Sequence, residues 1–335
     1  MKRPWLAPLT PLYAAGVALR DLGLRRGWEP VRRLSWPVIS VGNLSTGGAG
    51  KTPLAIALAR LLTERGLSVD VLSRGYGRQT RKPAHVDPNG TAEQFGDEPL
   101  LIARQAAVPV YVGSLRCAAG TLAESEKVPN SNESWPRVHI LDDGFQHRQL
   151  HRDVDILMLG FDDLNDKLLP AGNLRERLNA ARRADVIALP WHAPEIEIRL
   201  KALGWRGSIW HLHRSMDIPA HDGPVFAFCG IARPEQFFTG LEGASVEIAM
   251  RRAFPDHYRY TARTVEWLVQ QARASGAHAF LTTDKDAVRL GPLSPAFPPD
   301  LPLKTARLTL EIRDQGAAID SLLSRIRKAE IHPPL

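Results

Sequence analysis

Apolar and polar positions along the 335-residue chain form short apolar runs separated by longer amphipathic segments. PVISVG (37–42) and LSVDVLS (67–73) are apolar and rich in β-branched residues, which predicts two buried strands. Between them, leucines recur at helical spacing from Leu54 to Leu62, and Gly66 suits the helix end. This order predicts a strand–helix–strand unit with parallel strands.

The same alternation continues along the rest of the chain. Apolar runs predict strands at 108–113, 137–143, 154–160, 184–190, 225–230, 279–283 and 308–312, with helices at 234–241, at 261–276 and up to about Lys328. Strands that alternate with helices predict an α/β fold with a doubly wound, mostly parallel sheet. Because this length favours two domains, we predict four parts: an N-terminal segment (1–33), an α/β domain (34–215), a linker (216–222) and a smaller α/β domain (223–335).

The N-terminal segment carries a concentrated positive charge. Residues 1–33 hold seven basic side chains against two acidic ones, and so account for +5 of the net charge of +7. Leu9, Leu12, Tyr13 and Val17 are spaced to share one helical face. Both a helix packed on the domain and an interfacial helix on anionic lipid fit this periodicity. No apolar run is long enough for a transmembrane helix.

Glycines cluster after the first strand, in SVGNLSTGGAGKTP (40–53). The stretch nearly matches the phosphate-binding loop G-x-x-x-x-G-K-[ST], with Ser45 in place of the first glycine. In such loops backbone N–H groups surround the phosphates, the lysine reaches the β/γ oxygens and the hydroxyl binds Mg²⁺. The predicted ATP-binding residues are Ser45, Thr46, Gly47, Gly48, Ala49, Gly50, Lys51 and Thr52.

Two carboxylates follow the predicted strand in RVHILDDGFQH (137–147). An enzyme with a phosphate-binding loop needs a carboxylate for its metal, usually at the end of another strand. Asp142 and Asp143 are therefore the predicted Mg²⁺ ligands together with Thr52. The sequence leaves open which of the two aspartates contacts the metal directly.

Further motifs accompany the loop, namely LSRGYG (72–77), GDEP (96–99), LDDGFQHRQL (141–150), PAGNLRE (170–176) and FPDHY (254–258). With the loop, and in this order, they resemble the tetraacyldisaccharide 4'-kinase (lipid A 4'-kinase) family of Gram-negative bacteria. The resemblance covers nearly the whole chain. Serine or threonine at the first loop position is usual in that family, so Ser45 fits it.

The resemblance implies ATP- and Mg²⁺-dependent transfer of the γ-phosphate to the 4'-hydroxyl of tetraacyldisaccharide 1-phosphate, which forms lipid IVA. It implies a P-loop kinase domain at 34–215 and a peripheral protein at the cytoplasmic face of the inner membrane. An anionic lipid acceptor makes the interfacial helix the favoured interpretation of residues 1–33. Cys117 and Cys229 are the only cysteines, which fits a reducing cytosol.

The resemblance also implies roles for residues outside the loop. Asp97 in GDEP matches the family's proposed general base, and His257 in FPDHY matches the histidine thought to assist it. Because His257 lies in the second predicted domain, we expect domain closure to bring it to Asp97. Positions associated with nucleotide, lipid phosphate or catalysis are matched by Tyr76, Arg116, Arg175 and Glu176.

Two other protein classes share some of these features. A membrane-associated partition ATPase has a lysine immediately before the paired glycines, where this chain has Thr46. A nucleic-acid-binding protein would fit the isoelectric point of 9.6, but the basic excess lies mostly at the N-terminus and no nucleic-acid-reading motif accompanies it. We therefore expect a lipid substrate and no nucleic acid.

Overall fold

A computed structural model describes residues 3–48, 50–126 and 136–331 of the chain. The strands are β1 (Val38–Asn43), β2 (Ser68–Ser73), β3 (Ala84–His85), β4 (Val110–Val112), β5 (Arg137–Asp142), β6 (Val154–Met158), β7 (Val186–Pro190), β8 (Ser208–Asp217), β9 (Val225–Cys229), β10 (Ile248–Ala253), β11 (Ala279–Thr283) and β12 (Leu303–Ile312). The α-helices are α1 (Thr10–Arg25), α2 (Lys51–Glu64), α3 (Ala92–Phe95), α4 (Asp97–Ala106), α5 (Arg116–Ser125), α6 (Phe161–Asn165), α7 (Pro194–Ala202), α8 (Pro234–Gly243), α9 (Ala262–Ala274), α10 (Asp284–Leu290) and α11 (Gln315–Ile331). Three short 3₁₀ helices span Pro4–Leu9, Leu178–Arg183 and Gly291–Ala296.

The strands form one sheet in the order β10-β9-β11-β12-β8-β7-β6-β1-β5-β2-β4-β3. Antiparallel pairing occurs between β8 and β12 and between β3 and β4, whereas the other neighbours run parallel. β1 lies between β5 and β6, and Val41 of β1 is in register with Asp142 of β5. The predicted α/β class with a mostly parallel sheet is confirmed.

Some elements have no counterpart in the sequence-based prediction, including strands β8 and β10. β10 forms one edge of the sheet and carries the exposed Arg251 and Arg252. Charged residues are common on edge strands because they discourage pairing with another chain. β8 contains His211, His213 and Arg214 among its apolar residues, so no apolar run announces it.

β8 and β12 pair antiparallel within the sheet, and we describe the sheet on either side of this pairing as two lobes. We call residues 34–215 the P-loop lobe and residues 223–312 the second lobe. β8 continues to Asp217, so the first two residues of the predicted linker (216–222) are strand. In α11, Ile319, Leu322 and Ile326 join the same apolar core as helix α2. The last helix therefore shares the core of the P-loop lobe.

Helix α1 is attached to the P-loop lobe by one side. Tyr13 donates a hydrogen bond from its hydroxyl to the carbonyl oxygen of Arg175 at 3.1 Å, and Asp21 pairs with Arg148 at 2.7 Å. Leu12, on the opposite side, is 74% exposed. Other exposed apolar side chains of this region are Trp5, Leu9, Leu19 and Leu22. Within the described ranges, no helix has both the length and the apolar character needed to cross a membrane.

Candidate active site

The glycine-rich loop connects the end of β1 to the start of α2. Gly47, Gly48 and Gly50 have φ angles of 76°, 62° and 84°, a left-handed conformation that glycine adopts without steric cost. A Cβ atom on Gly47 would lie 2.8 Å from the Cβ of Ala232, and one on Gly48 would lie 2.9 Å from Arg233. The second lobe therefore packs against this loop. Ala49 lies outside the described residues.

Ser45 does not share this left-handed conformation. Its side chain is buried, and its hydroxyl accepts a hydrogen bond from Asn43 Nδ2 at 3.3 Å. It also forms an isolated antiparallel bridge with Leu174, while the Thr46 amide donates to the Asn173 carbonyl at 2.8 Å. The first loop position thus has no conformational need for glycine.

Lys51 points along the loop towards the carboxyl ends of β1 and β5. Its Nζ donates to Asn43 Oδ1 at 3.0 Å and lies 3.5 Å from Asp143 Oδ1. Arg175 Nη1 donates to both carboxylate oxygens of Asp143 at 3.0 Å. Burial alone would raise the pKa of Asp143, but Lys51 and Arg175 outweigh it and lower this pKa to about 2. Asp143 is therefore ionised and already paired with two cations.

Asp142, its neighbour in sequence, lies in the opposite environment. Its carboxylate is buried, with Oδ2 accepting a hydrogen bond from Ser73 Oγ at 3.2 Å and Oδ1 having no hydrogen-bond partner among the described residues. Burial, reinforced by the negative charges of Glu98 and Asp143, raises the pKa of Asp142 to about 7. A buried carboxylate in this state is stabilised by a cation, and its free oxygen is available to one.

Thr52, the third predicted metal ligand, is also buried, at the start of α2. The described residues contain no group of three or more histidine, cysteine, aspartate or glutamate side chains arranged around one point. Mg²⁺ commonly takes one or two carboxylates and completes its octahedron with phosphate and water oxygens. The donor set formed by Thr52 and Asp142 fits such a site.

Asp97 and His257 come together from the two lobes. Asp97 is the first residue of α4 and is buried, and its Oδ1 accepts the Glu98 amide at 3.0 Å. His257, in the loop after β10, places Nδ1 2.9 Å from Asp97 Oδ2. The contact that we expected from domain closure is thus already formed in this structure. His257 has a φ of 56°, a left-handed conformation that is uncommon for a residue other than glycine.

Arg289, on helix α10, also contacts the Asp97 carboxylate. Its Nε and Nη2 lie 2.7 and 2.5 Å from Asp97 Oδ2. Burial would raise the pKa of Asp97, but the hydrogen bond from His257 and the charges of Arg289 and Lys285 outweigh it, so this pKa lies well below its usual value. The hydrogen bond with Asp97 in turn raises the pKa of His257.

A cleft of about 660 Å³ lies between the lobes, beside these groups. Among the predicted site residues, those that line it are Thr46, Gly47, Gly48, Gly50, Lys51, Thr52, Tyr76, Asp142, Asp143, Arg175 and His257. The Tyr76 ring lies 5.1 Å from the His257 ring. Helix α1 contributes Tyr13, Val17 and Arg20 to the same cleft. Loop residues 46–48 and 50–52, the two aspartates and His257 therefore face one space.

Ser45, Asp97, Arg116 and Glu176 lie outside this lining. Arg116 is buried at the start of α5, where burial first and Arg74 second lower its pKa to about 10. Glu176 is buried and forms an ion pair with Arg183 at 2.8 Å. The structure thus places Glu176 against an arginine of the P-loop lobe rather than in the cleft.

The chain is similar to known proteins of one family. The sequence pattern that defines the tetraacyldisaccharide-1-P 4'-kinase family (LpxK) matches residues 2–327. The chain belongs to this family. It is 39% identical over 334 residues to the tetraacyldisaccharide 4'-kinase of Koribacter versatilis, covering 96% of this chain and 99% of that protein. It is 38% identical over 312 residues to that of Geobacter metallireducens, covering 86% and 88%.

A solved structure from the same family is also similar. The crystal structure of the "apo" form of LpxK from Aquifex aeolicus in complex with ATP superposes with a TM-score of 0.73. The two chains are 32% identical, and the match covers 96% of this chain and 98% of the other. The family resemblance seen in the sequence and the assignment as a kinase are therefore confirmed, and the partition ATPase alternative receives no support.

Several residues that surround the kinase site were not singled out in the sequence. Arg289 and Lys285 both lie on α10, Lys285 forms an ion pair with Glu98, and Asp286 between them is fully buried. One signal was present: Lys285 and Arg289 are four residues apart, which puts both on one helical face directly after a strand. No local pattern indicates that this face meets Asp97.

Proposed function

We propose that this chain transfers the γ-phosphate of ATP to the 4'-hydroxyl of tetraacyldisaccharide 1-phosphate, forming lipid IVA for lipid A. The observation that carries the proposal is the arrangement of Lys51 and Asp142 on one side of a cleft and the Asp97–His257 pair beside the other. The family membership supports it, since the relatives are tetraacyldisaccharide 4'-kinases.

For ATP, we propose that the phosphates lie against loop residues 45–52, with Lys51 reaching the β- and γ-oxygens. A second cavity of about 290 Å³ begins at Gly48 and extends past the carboxyl ends of β6 and β7. Its apolar lining, which includes Met158, Leu189 and Leu310, suits a flat aromatic base. Ligands of open α/β sheets commonly bind at this edge of the strands.

For the metal, we propose that Thr52 and Asp142 hold Mg²⁺. When bound, Mg²⁺ supplies positive charge that polarises the γ-phosphate and offsets charge developing on the leaving group. The free Oδ1 of Asp142 supports this choice over Asp143, whose carboxylate already accepts from Arg175 and lies 3.5 Å from Lys51.

For the acceptor, we propose that Asp97 takes the proton of the 4'-hydroxyl while that oxygen bonds to the γ-phosphorus. The bond between the γ-phosphorus and the β–γ bridging oxygen breaks, and ADP leaves with the electron pair. His257 holds the Asp97 carboxylate in position through its Nδ1 contact. Tyr76, Arg116 and Arg175 stand as candidates for contacts with the phosphates or the sugar, whereas Glu176 would act through Arg183.

For the membrane, we propose that α1 lies on the cytoplasmic face of the inner membrane. Its exposed apolar side chains Leu12, Leu19 and Leu22 adjoin a basic segment, a combination suited to anionic lipid. The same helix lines the cleft through Tyr13 and Val17, so a lipid headgroup entering there would stay near its bilayer. We further propose that the P-loop lobe carries the nucleotide site and that the second lobe closes over it by moving about the linker.

The test is incubation of the protein with γ-labelled ATP, Mg²⁺ and tetraacyldisaccharide 1-phosphate in detergent micelles. Label in the lipid, dependent on both Mg²⁺ and the acceptor, is the expected outcome. Label only in free phosphate would contradict the proposal and indicate an ATPase. Omitting Mg²⁺ while leaving the ATP and lipid unchanged tests the metal assignment in the same experiment.

A further inference from the structure

Asp286 is a fully buried carboxylate that the proposed reaction does not use. Its two oxygens accept hydrogen bonds from the Gly230 amide at 3.0 and 3.1 Å, from the Tyr260 hydroxyl at 2.9 Å and from the Thr283 hydroxyl at 2.6 Å. Arg289 Nη1 completes the set at 3.1 Å from Oδ1. Asp286 therefore joins the ends of β9 and β11 to helix α10.

Gly230, whose amide donates to Asp286, accepts hydrogen bonds from two residues of the acceptor side. By acceptor side we mean Asp97, His257 and Arg289, the residues grouped around the Asp97 carboxylate. The carbonyl oxygen of Gly230 accepts from the backbone amide of His257 at 3.1 Å and from Arg289 Nη1 at 2.5 Å. The guanidinium of Arg289 is thus fixed on one edge by the second lobe, and its side chain is only 6% exposed. Its Nε and Nη2 extend to the Asp97 carboxylate of the P-loop lobe.

We propose that Arg289, held by Asp286, is a positioning residue that crosses from the second lobe to Asp97 and keeps this carboxylate ionised and aligned with His257. This inference rests on the proposed function, because it takes Asp97 as the group that receives the hydroxyl proton. It assigns to helix α10 the task of completing the acceptor side when the lobes are together.

The contacts of Asp97 indicate how the alignment works. Oδ2 lies within hydrogen-bond distance of His257 Nδ1 and of two nitrogens of Arg289, whereas Oδ1 accepts only the amide of Glu98 among these groups. An ionised carboxylate has about four acceptor positions on its two oxygens. The remaining capacity is therefore on Oδ1, the oxygen to which an acceptor hydroxyl would donate.

The cations around Asp97 come from the second lobe. From α10, Arg289 contacts it directly and Lys285 adds a second positive charge, part of which Glu98 balances. From the loop after β10, His257 contacts it, and Asp256 lies 3.8 Å from the far nitrogen of that ring. Asp286 balances Arg289 from behind. The side chains that contact the Asp97 carboxylate, those of Arg289 and His257, both favour its ionised form, and both come from the second lobe.

Such an arrangement suits phosphoryl transfer. Its transition state is loose in most analyses, so positioning of the nucleophile and electrostatic stabilisation contribute more than the strength of the base. A carboxylate held ionised and correctly oriented satisfies that requirement even though its proton affinity is low. Because Arg289 belongs to the second lobe and Asp97 to the P-loop lobe, the carboxylate is held in this state only when the two lobes are in contact.

The experiment measures kcat against pH for the full chain with γ-labelled ATP and the lipid acceptor. The variants are Arg289→Met, Arg289→Lys and, as the matched control, Arg273→Met, which removes an exposed arginine that pairs with Asp300 at 3.4 Å. For Arg289→Met we expect kcat to fall about 10–100-fold at neutral pH. We also expect the acidic limb of the profile to move upward by about one pH unit or more, because an opposite charge has been removed from the base.

Arg289→Lys keeps the positive charge but loses the two-nitrogen contact of the guanidinium with Asp97. It therefore separates orientation of the carboxylate from its ionisation. We expect kcat to fall about tenfold while the acidic limb stays near that of the wild type. Arg273→Met is expected to match the wild type throughout. ATP affinity, measured by calorimetry, is expected to be unchanged in all three variants and reports that the loop is folded.

A loss of kcat in Arg289→Met that is uniform across pH would show a structural role only and overturn the proposal. If Arg289→Met does not fold, Arg289→Lys decides, since wild-type kcat at every pH in that variant would equally overturn it. Failure of the proposed function is read separately, from absence of lipid label with the wild-type enzyme. Wild-type kcat in an Asp97→Asn variant would show that Asp97 is not the base, and the proposed role of Arg289 would then fail as well.

Discussion

Lys51 and Asn43, on the phosphate side of the cleft, are separated by 8 positions in the chain, whereas Asp97 and Arg289, on the acceptor side, are separated by 192. The phosphate side is built by one strand, one loop and one helix in succession. The acceptor side exists only where α4 of the P-loop lobe meets α10 and the loop after β10. The Lys51–Asn43 contact can therefore form within one lobe, while the surroundings of Asp97 require both lobes.

Asp142 and Asp143 are adjacent in the chain, yet their carboxylates lie in different environments. The pKa of Asp142 is raised to about 7 mainly by burial, and the pKa of Asp143 is lowered to about 2 because Lys51 and Arg175 outweigh burial. The pKa values of these neighbouring carboxylates thus differ because Asp143 contacts two cations, whereas burial dominates at Asp142. Sequence position does not decide which of them remains available to a metal.

The largest loss of activity is expected from a substitution on the acceptor side alone. Asp97→Asn keeps the shape and removes the proton acceptor, so we expect kcat to fall by about 10²–10⁴. ATP affinity, measured by calorimetry, should stay unchanged because the loop lies in the other half of the site. The control is Asp300→Asn on the surface. A rise in KM for the lipid with an unchanged kcat would contradict the assignment and make Asp97 a binding group.

The next largest loss of activity is expected from a substitution on the phosphate side. Lys51→Ala removes the cation aimed at the phosphates, and we expect transfer to fall roughly 10²–10³-fold with weaker ATP binding. Lys201→Ala, an exposed lysine on α7, is the matched control. Transfer of label from γ-labelled ATP to lipid provides the measurement. Near-normal turnover in Lys51→Ala would rule out the loop as the phosphate site.

A buried ion-pair cluster on β5, a neighbour of the strand that leads into the phosphate-binding loop, is expected to stabilise the fold. His139 on β5 is buried, with Nδ1 2.6 Å from Asp70 and Nε2 3.5 Å from Glu124. Burial would lower the pKa of His139, but these two carboxylates outweigh it and raise the pKa from 6.5 to about 9. The resulting stabilisation is complete below about pH 6.5 and is lost as the pH rises through 9.

We therefore expect the free energy of unfolding of the wild type to fall between pH 6.5 and 9.5 by up to about 3 kcal/mol more than that of His139→Gln. Urea unfolding at a series of pH values measures the difference. His192→Gln, at an exposed position, is the control and should follow the wild type. Parallel pH dependence in the wild type and His139→Gln would show that the ion pair does not stabilise the fold.

The smallest expected effect concerns how the lipid reaches the cleft. Replacing Leu12 and Leu19 by serine removes two exposed apolar side chains from α1. We expect roughly tenfold weaker binding to anionic vesicles in sedimentation assays, because less apolar area enters the bilayer. Ile198→Ser on α7, 68% exposed, is the matched control. Equal binding by the α1 variant and the wild type would leave α1 as a packing helix only.

The sequence determined the features that depend on neighbours along the chain. An apolar strand, glycines with positive φ and an amphipathic helix specify the loop because backbone conformation and helix formation are local. The strand ending in Asp142 follows for the same reason, and the apolar runs predicted most of the sheet. The strands that escaped prediction, such as β10, carry charged residues because they lie at an edge or mix polar and apolar positions.

Only the tertiary structure decided which groups meet at Asp97 and what charge they carry. Packing of α10 against α4 brings Arg289 to the carboxylate, and the loop after β10 brings His257. Contact energies and pKa values depend on distance and burial, which the order of residues does not state. The sequence therefore determined the phosphate side of this kinase, while folding of the two lobes against each other created its acceptor side.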